Sequence, residues 1–248
     1  MDINETRRGM INRHPWELSR TQMLIKEWKR FINNLYRGDG QYFKYVNVGA
    51  GDLYFDDLLM NTYNNVEVYA VDIGYDTQGK REISKKNKHL TNDINSIDEN
   101  VLFDFSVMMD SLEYMQDDRE YISKLMLRVR RGGYMFFTIP AYTSLFSDHD
   151  VHVGNLRRYN RKDIEKLFSD IDGLEIVYSR HFYFSLYLVR LFQVLTKIKI
   201  DPEQKVTTGW QFKEDGWITR VVKGVLNFDY LIGRYLPGLS LMIVCVRK

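Results

Sequence analysis

Two glycines and an aspartate stand at the spacing of a nucleoside-binding turn. The stretch YVNVGAGDLYFDDLL (45–59) predicts a strand that runs into a helix, with Gly49 and Gly51 in the turn. These glycines permit a tight turn and let a ligand approach the backbone, while the first helical N–H groups point at it. Asp72 follows at the end of the next predicted strand, where a carboxylate can accept both hydroxyls of a ribose. The pattern predicts a site for an adenosine-type ligand, with a plain turn as the alternative.

The turn also indicates which adenosine ligand fits. Dinucleotide-binding turns carry a third glycine where this chain has Tyr54. Asp52, at the mouth of the helix, would repel a pyrophosphate but tolerate a cationic sulfonium with an amino acid tail. The residues therefore favour S-adenosyl-L-methionine over NAD.

A second group of reactive side chains lies in PAYTSLFSDHDVHVGNLRRYNRKDIEKLF (140–168). Methyl transfer to an oxygen needs a base for the hydroxyl proton, and histidine titrates nearest neutral pH. We therefore expect His149 or His152 to be the base, with Tyr159 beside the substrate. Alternatively, the loop's aspartates pair with Arg157 and Arg158 and only fix the loop. A metal on this loop is a minor alternative, and we predict none.

Alternating strand-like and helix-like segments must position these residues. A helix over 16–36 precedes the first strand, and the alternation predicts a parallel sheet with helices on both faces. Ligands bind such sheets at the carboxyl ends of the strands. The predicted strands are 45–48, 66–71, a short one near 89–90, 105–109, 134–139, 174–178 and 240–246.

The pattern divides the chain into four segments. They are an N-terminal helical cap (1–41), a cofactor-binding core (42–181), a helical insertion (182–238) and a closing strand (239–248). The insertion begins with an aromatic-rich stretch that could wall a pocket for an apolar or lipid-linked acceptor, or lie on a membrane surface. Core packing or a homodimer contact is the simpler alternative.

Composition limits the partners and the compartment. The 248 residues carry a net charge of +2, which gives no reason to expect a nucleic acid partner. The single cysteine, Cys245, excludes an internal disulfide and a multi-cysteine metal site. The N-terminal MDINETRRGM has charges where a secretory signal needs an apolar core, and no stretch reaches the ~20 apolar residues that span a bilayer. We expect a cytoplasmic protein.

Over most of residues 13–181, the sequence resembles the class I S-adenosylmethionine-dependent methyltransferases. Their first strand ends in an (Asp/Glu)-x-Gly-x-Gly-x-Gly motif, which Asn47, Gly49 and Gly51 match, with Leu53 at the last position. Later segments match in order: LTNDINSI, FDFSVMMDSLEYMQDD with Tyr114 in place of a histidine, and RRGGYMFFTIP. The loop at 140–168 and RHPWE (13–17) resemble a subset of that superfamily. The resemblance implies a Rossmann-like, seven-stranded, mostly parallel α/β sheet.

The resemblance also implies roles for individual residues. Asp72 would bind the ribose, Ile73 would pack on the adenine, Asp93 would lie near the adenine amino group, and Ile94 would lie against the ring. Asn47 would bind the methionine ammonium group or order the turn. The full set of expected cofactor-binding residues is Asn47, Gly49, Ala50, Gly51, Asp72, Ile73, Asp93, Ile94, Asp110 and Ser111.

The function that follows is transfer of a methyl group to an oxygen or nitrogen of a small molecule, sugar or lipid-linked acceptor. Leu53, which would narrow the turn, together with Asn47 and Tyr114, also permits a cofactor-binding module with little or no turnover. A nucleotide-dependent oxidoreductase is a third hypothesis, which the missing glycine at Tyr54 disfavours.

Overall fold

A computed structural model describes residues 13, 15–35, 42–75, 87–196, 216–232 and 236–248. Seven strands form its single sheet. They are β1 (Phe43–Val48), β2 (Val66–Val71), β3 (Lys88–Thr91), β4 (Phe103–Met109), β5 (Val129–Pro140), β6 (Leu174–Phe182) and β7 (Ser240–Arg247).

Seven α-helices are described with this sheet. They are α1 (Pro15–Leu35), α2 (Tyr54–Thr62), α3 (Asp118–Arg128), α4 (Asp148–His152), α5 (Arg161–Ser169), α6 (Phe184–Thr196) and α7 (Trp217–Ile232). Short 3-10 turns at Ile94–Ser96, Leu112–Tyr114 and Thr143–Leu145 follow the carboxyl ends of β3, β4 and β5.

The strand order is β3-β2-β1-β4-β5-β7-β6. Neighbouring strands from β3 through β5 are parallel, and β7 runs antiparallel between β5 and β6. The predicted α/β fold with a seven-stranded, mostly parallel sheet is confirmed. The order reverses between β1 and β4, so the crevice at their carboxyl ends is where a ligand is expected.

The predicted elements are present, with some shifted ends. The strand predicted at 134–139 begins at Val129, because RRGG continues the strand past an irregularity in its pairing with β4. Asp117 caps α3 by accepting a hydrogen bond from the Glu120 amide at 2.8 Å. Asn160 stands at the corresponding position before α5 but makes no such cap, because its side-chain oxygen accepts from Thr143 instead.

Hydrophobic residues fill both faces of the sheet. On one face α1, α2 and α7 cover Tyr45, Phe105 and Phe136, and on the other α3 and α5 cover Val46 and Phe137. Consecutive strand residues alternate between the two cores, as the two-residue period of a strand requires. The helix predicted before the first strand is therefore part of the main core. The four segment boundaries stay predictions, and the loop between α6 and α7 lies outside the described residues.

Trp28 fixes α1 to the sheet. Its ring is fully buried, stacks on Phe136 at 4.8 Å between centroids and meets Phe55 edge-on at 5.6 Å. We predict that Trp28→Ala lowers the free energy of unfolding by about 3–5 kcal/mol, because it removes these contacts and leaves a cavity. Lys29→Ala, at an exposed neighbour, should stay within about 0.5 kcal/mol. Denaturant unfolding measures both free energies. Equal effects of the two substitutions would contradict the conclusion that Trp28 fixes α1 to the sheet.

Candidate functional site

The turn after β1 is held in a left-handed backbone. Gly49, Gly51 and Leu53 have φ of 74°, 57° and 66°. The amides of Gly49 and Ala50 both donate to the carbonyl oxygen of Val71, at 2.8 and 3.2 Å, and so tie the turn to the end of β2. Such a backbone suits glycine, which has no Cβ to clash.

The need for glycine at position 49 comes from Ser111. A Cβ on Gly49 would lie 2.0 Å from the Ser111 Oγ and 2.9 Å from its Cβ. Ser111 follows β4, and its Oγ lies 3.1 Å from the carbonyl oxygen of Val48 and 3.0 Å from that of Met109. Close packing of two strand ends therefore requires this glycine, in addition to any ligand.

The carboxylate of Asp72 lies next to the turn, as the 21-residue spacing predicted. Its Oδ2 accepts from the Gly51 amide and its Oδ1 from the Gly74 amide, both at 2.8 Å. A carboxylate has about four acceptor positions, so further positions are left on the two oxygens. Ile73, next in the chain, is 95% exposed, so its apolar side chain is open to a ligand. Tyr75 closes the turn from below by donating to the Gly51 carbonyl at 2.6 Å.

Asn47 forms a buried polar group with an acid that sequence reasoning missed. Its Nδ2 donates to both carboxylate oxygens of Asp56, at 3.1 and 2.9 Å, and the Tyr45 hydroxyl donates to Asp56 at 2.5 Å. Burial raises the pKa of Asp56 to about 6, although the hydrogen bonds from Tyr45 and Asn47 oppose the shift. The Asn47 Oδ1 is buried and has no hydrogen-bond partner within the described ranges. It is the acceptor that an ammonium group would satisfy.

The two residues expected at the adenine lie at the same edge of the sheet, after β3. Asp93 is exposed and accepts from the Asn95 amide at 2.9 Å at the start of a 3-10 turn. Ile94 is half-buried against the core. These positions are compatible with the expected roles, which stay predictions.

Asp110 is shared with the N-terminal helix. Its carboxylate forms an ion pair with Arg20 of α1 and accepts from the Thr138 hydroxyl at 3.0 Å. The Arg20 guanidinium also lies 4.6 Å from the centre of the Trp16 ring. Asp110 therefore holds α1 over the carboxyl edge, whatever contact it makes with a ligand.

Residue 13 and α1 reach the turn itself. Arg13 bonds to Glu17 at 2.9 Å, forms an ion pair with Asp52, and lies 3.9 Å from the centre of the Tyr54 ring. These contacts place Arg13 and the start of α1 beside the turn where the cofactor is expected. Because Arg13 neutralises Asp52, the charge of Asp52 is a weaker argument against a pyrophosphate than the sequence indicated.

The loop after β5 is held by one buried ion pair. Asp150 is fully buried, accepts from the Ser147 amide at 2.9 Å, and pairs with Arg158 at 2.8 Å. Burial alone would raise the pKa of Asp150, but the Arg158 hydrogen bond and charge keep it below its ordinary value. His149 and His152, on either side of it, are exposed on α4. Asp150 therefore fixes the loop through Arg158, as the alternative interpretation of this loop expects.

Tyr159 and Arg157 join the same loop to α3. Arg157 pairs with Asp118 at 3.1 Å, and the Tyr159 hydroxyl lies 3.2 Å from the same carboxylate and 3.4 Å from the Leu112 carbonyl. Burial and the Asp118 charge raise the pKa of Tyr159. In this structure Tyr159 packs beneath the edge, and its expected place among the reacting groups stays a prediction.

Glu113 is the most unusual group at this edge, and the sequence identifies it only as part of the matched segment FDFSVMMDSLEYMQDD. It is 2% exposed and its Oε2 has no hydrogen-bond partner in the described part of the chain. Burial raises its pKa to about 8, although the charges of Arg20 and Arg158 oppose the shift and that of Asp150 adds to it. A carboxyl that titrates near neutral pH beside a ligand crevice is a candidate acid or base.

We predict that the close contact at Gly49 can be tested by a double variant. Gly49→Ala should lower the free energy of unfolding by about 2–4 kcal/mol, since it adds a left-handed Ala and a clash with Ser111. Ser111→Gly in the same chain removes the clash and should restore all but about 1–2 kcal/mol of the loss. Denaturant unfolding of both single variants and the double variant gives the coupling. Simple additivity would show that the two residues do not meet.

No protein-family model matches the sequence, and no curated protein matches it. Solved structures do match. A SAM-dependent methyltransferase from Archaeoglobus fulgidus is 18% identical, covers 92% of this chain and 94% of its own, and has a TM-score of 0.54. Magnesium protoporphyrin IX methyltransferase from Synechocystis PCC 6803 with bound SAH is 13% identical, with coverage of 93% and 84% and a TM-score of 0.51.

A third solved structure is coclaurine N-methyltransferase bound to N-methylheliamine and SAH. It is 16% identical, covers 94% of this chain and 72% of its own, and has a TM-score of 0.52. At these identities the similarity establishes the fold of the chain.

Proposed function

We propose that this chain, which has the class I methyltransferase fold, transfers a methyl group from S-adenosyl-L-methionine to an oxygen or nitrogen of an acceptor. The acceptor is a small molecule, a glycan or a lipid-linked compound. The observation that carries the proposal is the Asp72 carboxylate, which is fixed beside a left-handed glycine turn and keeps acceptor positions for two ribose hydroxyls.

The residues at the edge fit this cofactor. Asp72 would hold the ribose, the exposed Ile73 would cover one side of the adenine, and Asp93 with Ile94 would lie near its other groups. The unpaired Asn47 Oδ1 would accept from the methionine ammonium group. Two of the solved structures with this fold have SAH bound, which supports the same cofactor here.

When bound, S-adenosyl-L-methionine supplies a methyl group on a positively charged sulfur. The chain contributes alignment of the acceptor, exclusion of water and a place for the proton. Alignment alone is worth roughly 7–11 kcal/mol in favourable model reactions, so no covalent intermediate is needed. Trp16 and Arg20 of α1, and the loop with α4, stand at the edge where an acceptor would be aligned.

We propose Glu113 as the base that accepts the proton of the acceptor. It follows β4 next to the Gly49–Ser111 contact, it is buried, and one of its oxygens has no partner within the ranges that the structure describes. In its ionised form it can accept the proton of a hydroxyl or ammonium acceptor. His149 and His152 remain the rival bases, because both lie on α4 at the same edge and are exposed.

The acceptor is not expected to be a nucleic acid, because 35 basic residues are balanced by 33 acidic ones. We place the protein in the cytoplasm on the strength of its single, buried cysteine.

Cofactor binding is tested by calorimetric titration with S-adenosyl-L-homocysteine. We predict that Asp72→Ala weakens binding roughly a hundredfold, because two charge-assisted hydrogen bonds to the ribose are lost. The affinity of Asp72→Asn for S-adenosyl-L-homocysteine should lie between those of Asp72→Ala and the unchanged protein. Asp170→Ala, which removes only a surface pair with Arg119, is the matched control and should bind like the unchanged protein. NAD binding in place of S-adenosyl-L-homocysteine would support the oxidoreductase instead.

Proton transfer is tested by the pH dependence of turnover. With labelled cofactor and fractionated cell extract as the source of acceptor, we predict that the rate rises with pH through about 8. The reason is that burial keeps Glu113 protonated, and therefore unable to accept a proton, below its raised pKa. Glu113→Gln should lower the rate by about a hundredfold and remove this rise, with cofactor affinity unchanged.

Two other outcomes would reassign the base or the function. If His149→Asn or His152→Asn removes the pH dependence and Glu113→Gln does not, a histidine is the base. If the protein binds S-adenosyl-L-homocysteine but no fraction accepts the label, the chain is a cofactor-binding module.

A further inference from the structure

The outer face of α6 is apolar from Leu188 to Leu195. Leu188, Val189, Phe192 and Leu195 are between 46% and 72% exposed, and no residue of α6 is fully buried. Three of them, at positions 188, 192 and 195, follow the helical period and form one stripe. The helix therefore presents large apolar side chains to the outside as a set, and not singly.

The outer face of α7 has the same character. Trp217, Val221, Val225, Phe228 and Leu231 are between 50% and 75% exposed and follow the helical period. The inner face of this helix packs against the rest of the protein and is distinct from this exposed face.

On that inner face Leu226 and Thr219 are buried, and Asn227 meets Ser19 of α1 at 3.2 Å. A helix with one apolar face buried and a second apolar face exposed is unusual in water. On most soluble proteins, exposed apolar residues are isolated from one another.

The two helices are joined and lie near the candidate site. Asp229 of α7 accepts from the amide and the hydroxyl of Ser185 at the start of α6, both at 2.9 Å. Arg190 of α6 donates to the Ser147 hydroxyl at 3.2 Å, at the start of α4. We call the exposed apolar residues of α6 and α7 the apolar face. Through Arg190, the helix α6 that carries part of the apolar face is therefore connected to the loop that carries His149.

Charge on these helices is of one sign wherever it is exposed. α6 contains no Asp or Glu, and the single acid of α7, Asp229, is 3% exposed and committed to Ser185. Arg220 is exposed and Lys223 is half-buried on α7. In a chain with nearly equal numbers of acids and bases, the charged side chains of these two helices, apart from the buried Asp229, are therefore all cations.

We infer that the apolar face docks on the surface of an anionic lipid bilayer. Amphipathic helices of this kind lie in the plane of the headgroups, with Trp, Phe and Leu below them and Lys or Arg at the phosphates. Among the described residues, no helix has the length and apolar character needed to cross a membrane, which agrees with an in-plane position. Docking would bring the loop of α4 close to the lipid. If the proposed methyl transfer holds, a lipid-linked acceptor follows from it.

The test is flotation of the full-length protein with vesicles, which needs neither cofactor nor turnover and so can fail independently of the proposed function. Vesicles of phosphatidylcholine alone are compared with vesicles of equal parts phosphatidylcholine and phosphatidylglycerol. We predict binding to the anionic vesicles that is weaker on the neutral ones and weakened by salt. Phe228→Gln with Leu231→Gln should lower the partition coefficient at least about tenfold, since two exposed apolar anchors are lost.

Leu127→Gln is the matched control, because Leu127 is 58% exposed on α3 and lies on the opposite face of the sheet. It should bind vesicles like the unchanged protein. The inference is overturned if neither vesicle is bound, or if Leu127→Gln weakens binding as much as the double variant. It is also overturned if light scattering shows a dimer that the double variant dissociates and that does not bind lipid, because a second copy then covers the face.

Discussion

The site depends on one close approach, between the backbone of Gly49 and the side chain of Ser111. The two residues end or follow β1 and β4, the neighbouring strands at which the order of the sheet reverses. Because Gly49 has no Cβ, the two strand ends can lie this close together. The turn is held in its left-handed form by the amides of Gly49 and Ala50, which both donate to the Val71 carbonyl. Asp72 is the next residue after Val71, so its carboxylate is fixed beside Gly51 by the same arrangement. The proposed ribose position would thus follow from strand packing at the switch point.

The carboxyl edge also concentrates buried and partly buried charge, and its pairing distinguishes two ion pairs from the carboxyl that we propose as the base. Asp110 with Arg20, and Asp150 with Arg158, are closed ion pairs that hold α1 and the loop after β5. Burial of a charge is tolerated when it is paired in this way. Glu113, near both pairs, has a raised pKa and an oxygen with no hydrogen-bond partner among the described residues. An unpaired buried carboxyl lowers stability, and such groups are concentrated at functional sites, where their reactivity is used.

The strand pattern, the order of motifs and the place of Asp72 could be predicted from the sequence because they follow from local spacing and from the two-residue period of strands. The partners of the loop residues could not, because they depend on which elements the fold brings together. Arg157 was grouped with the loop's aspartates, yet it pairs with Asp118 on α3. Leu53 was read as narrowing the turn. It instead takes the left-handed backbone that a glycine would have, and its side chain is buried with the core. The strain of about 1–2 kcal/mol is roughly offset by burial of a leucine, a balance that spacing alone does not reveal.

Asn47 is the departure that most suggested a loss of activity, and its surroundings give it another explanation. The family motif has an acid at this position, but here Asp56 of α2 lies within 3.1 Å of the Asn47 amide and is fully buried. A second carboxylate at position 47 would face Asp56 at hydrogen-bonding distance, and like charges that close cannot both be ionised in a buried site. The pKa of Asp56 is already raised to about 6, chiefly by burial, although the hydrogen bonds from Tyr45 and Asn47 oppose the shift. A neutral amide that donates to Asp56 and still offers one oxygen is therefore the arrangement that keeps an acceptor at this position. The neutral residue at position 47 is compatible with the buried acid beside it, and it does not by itself argue for an inactive protein.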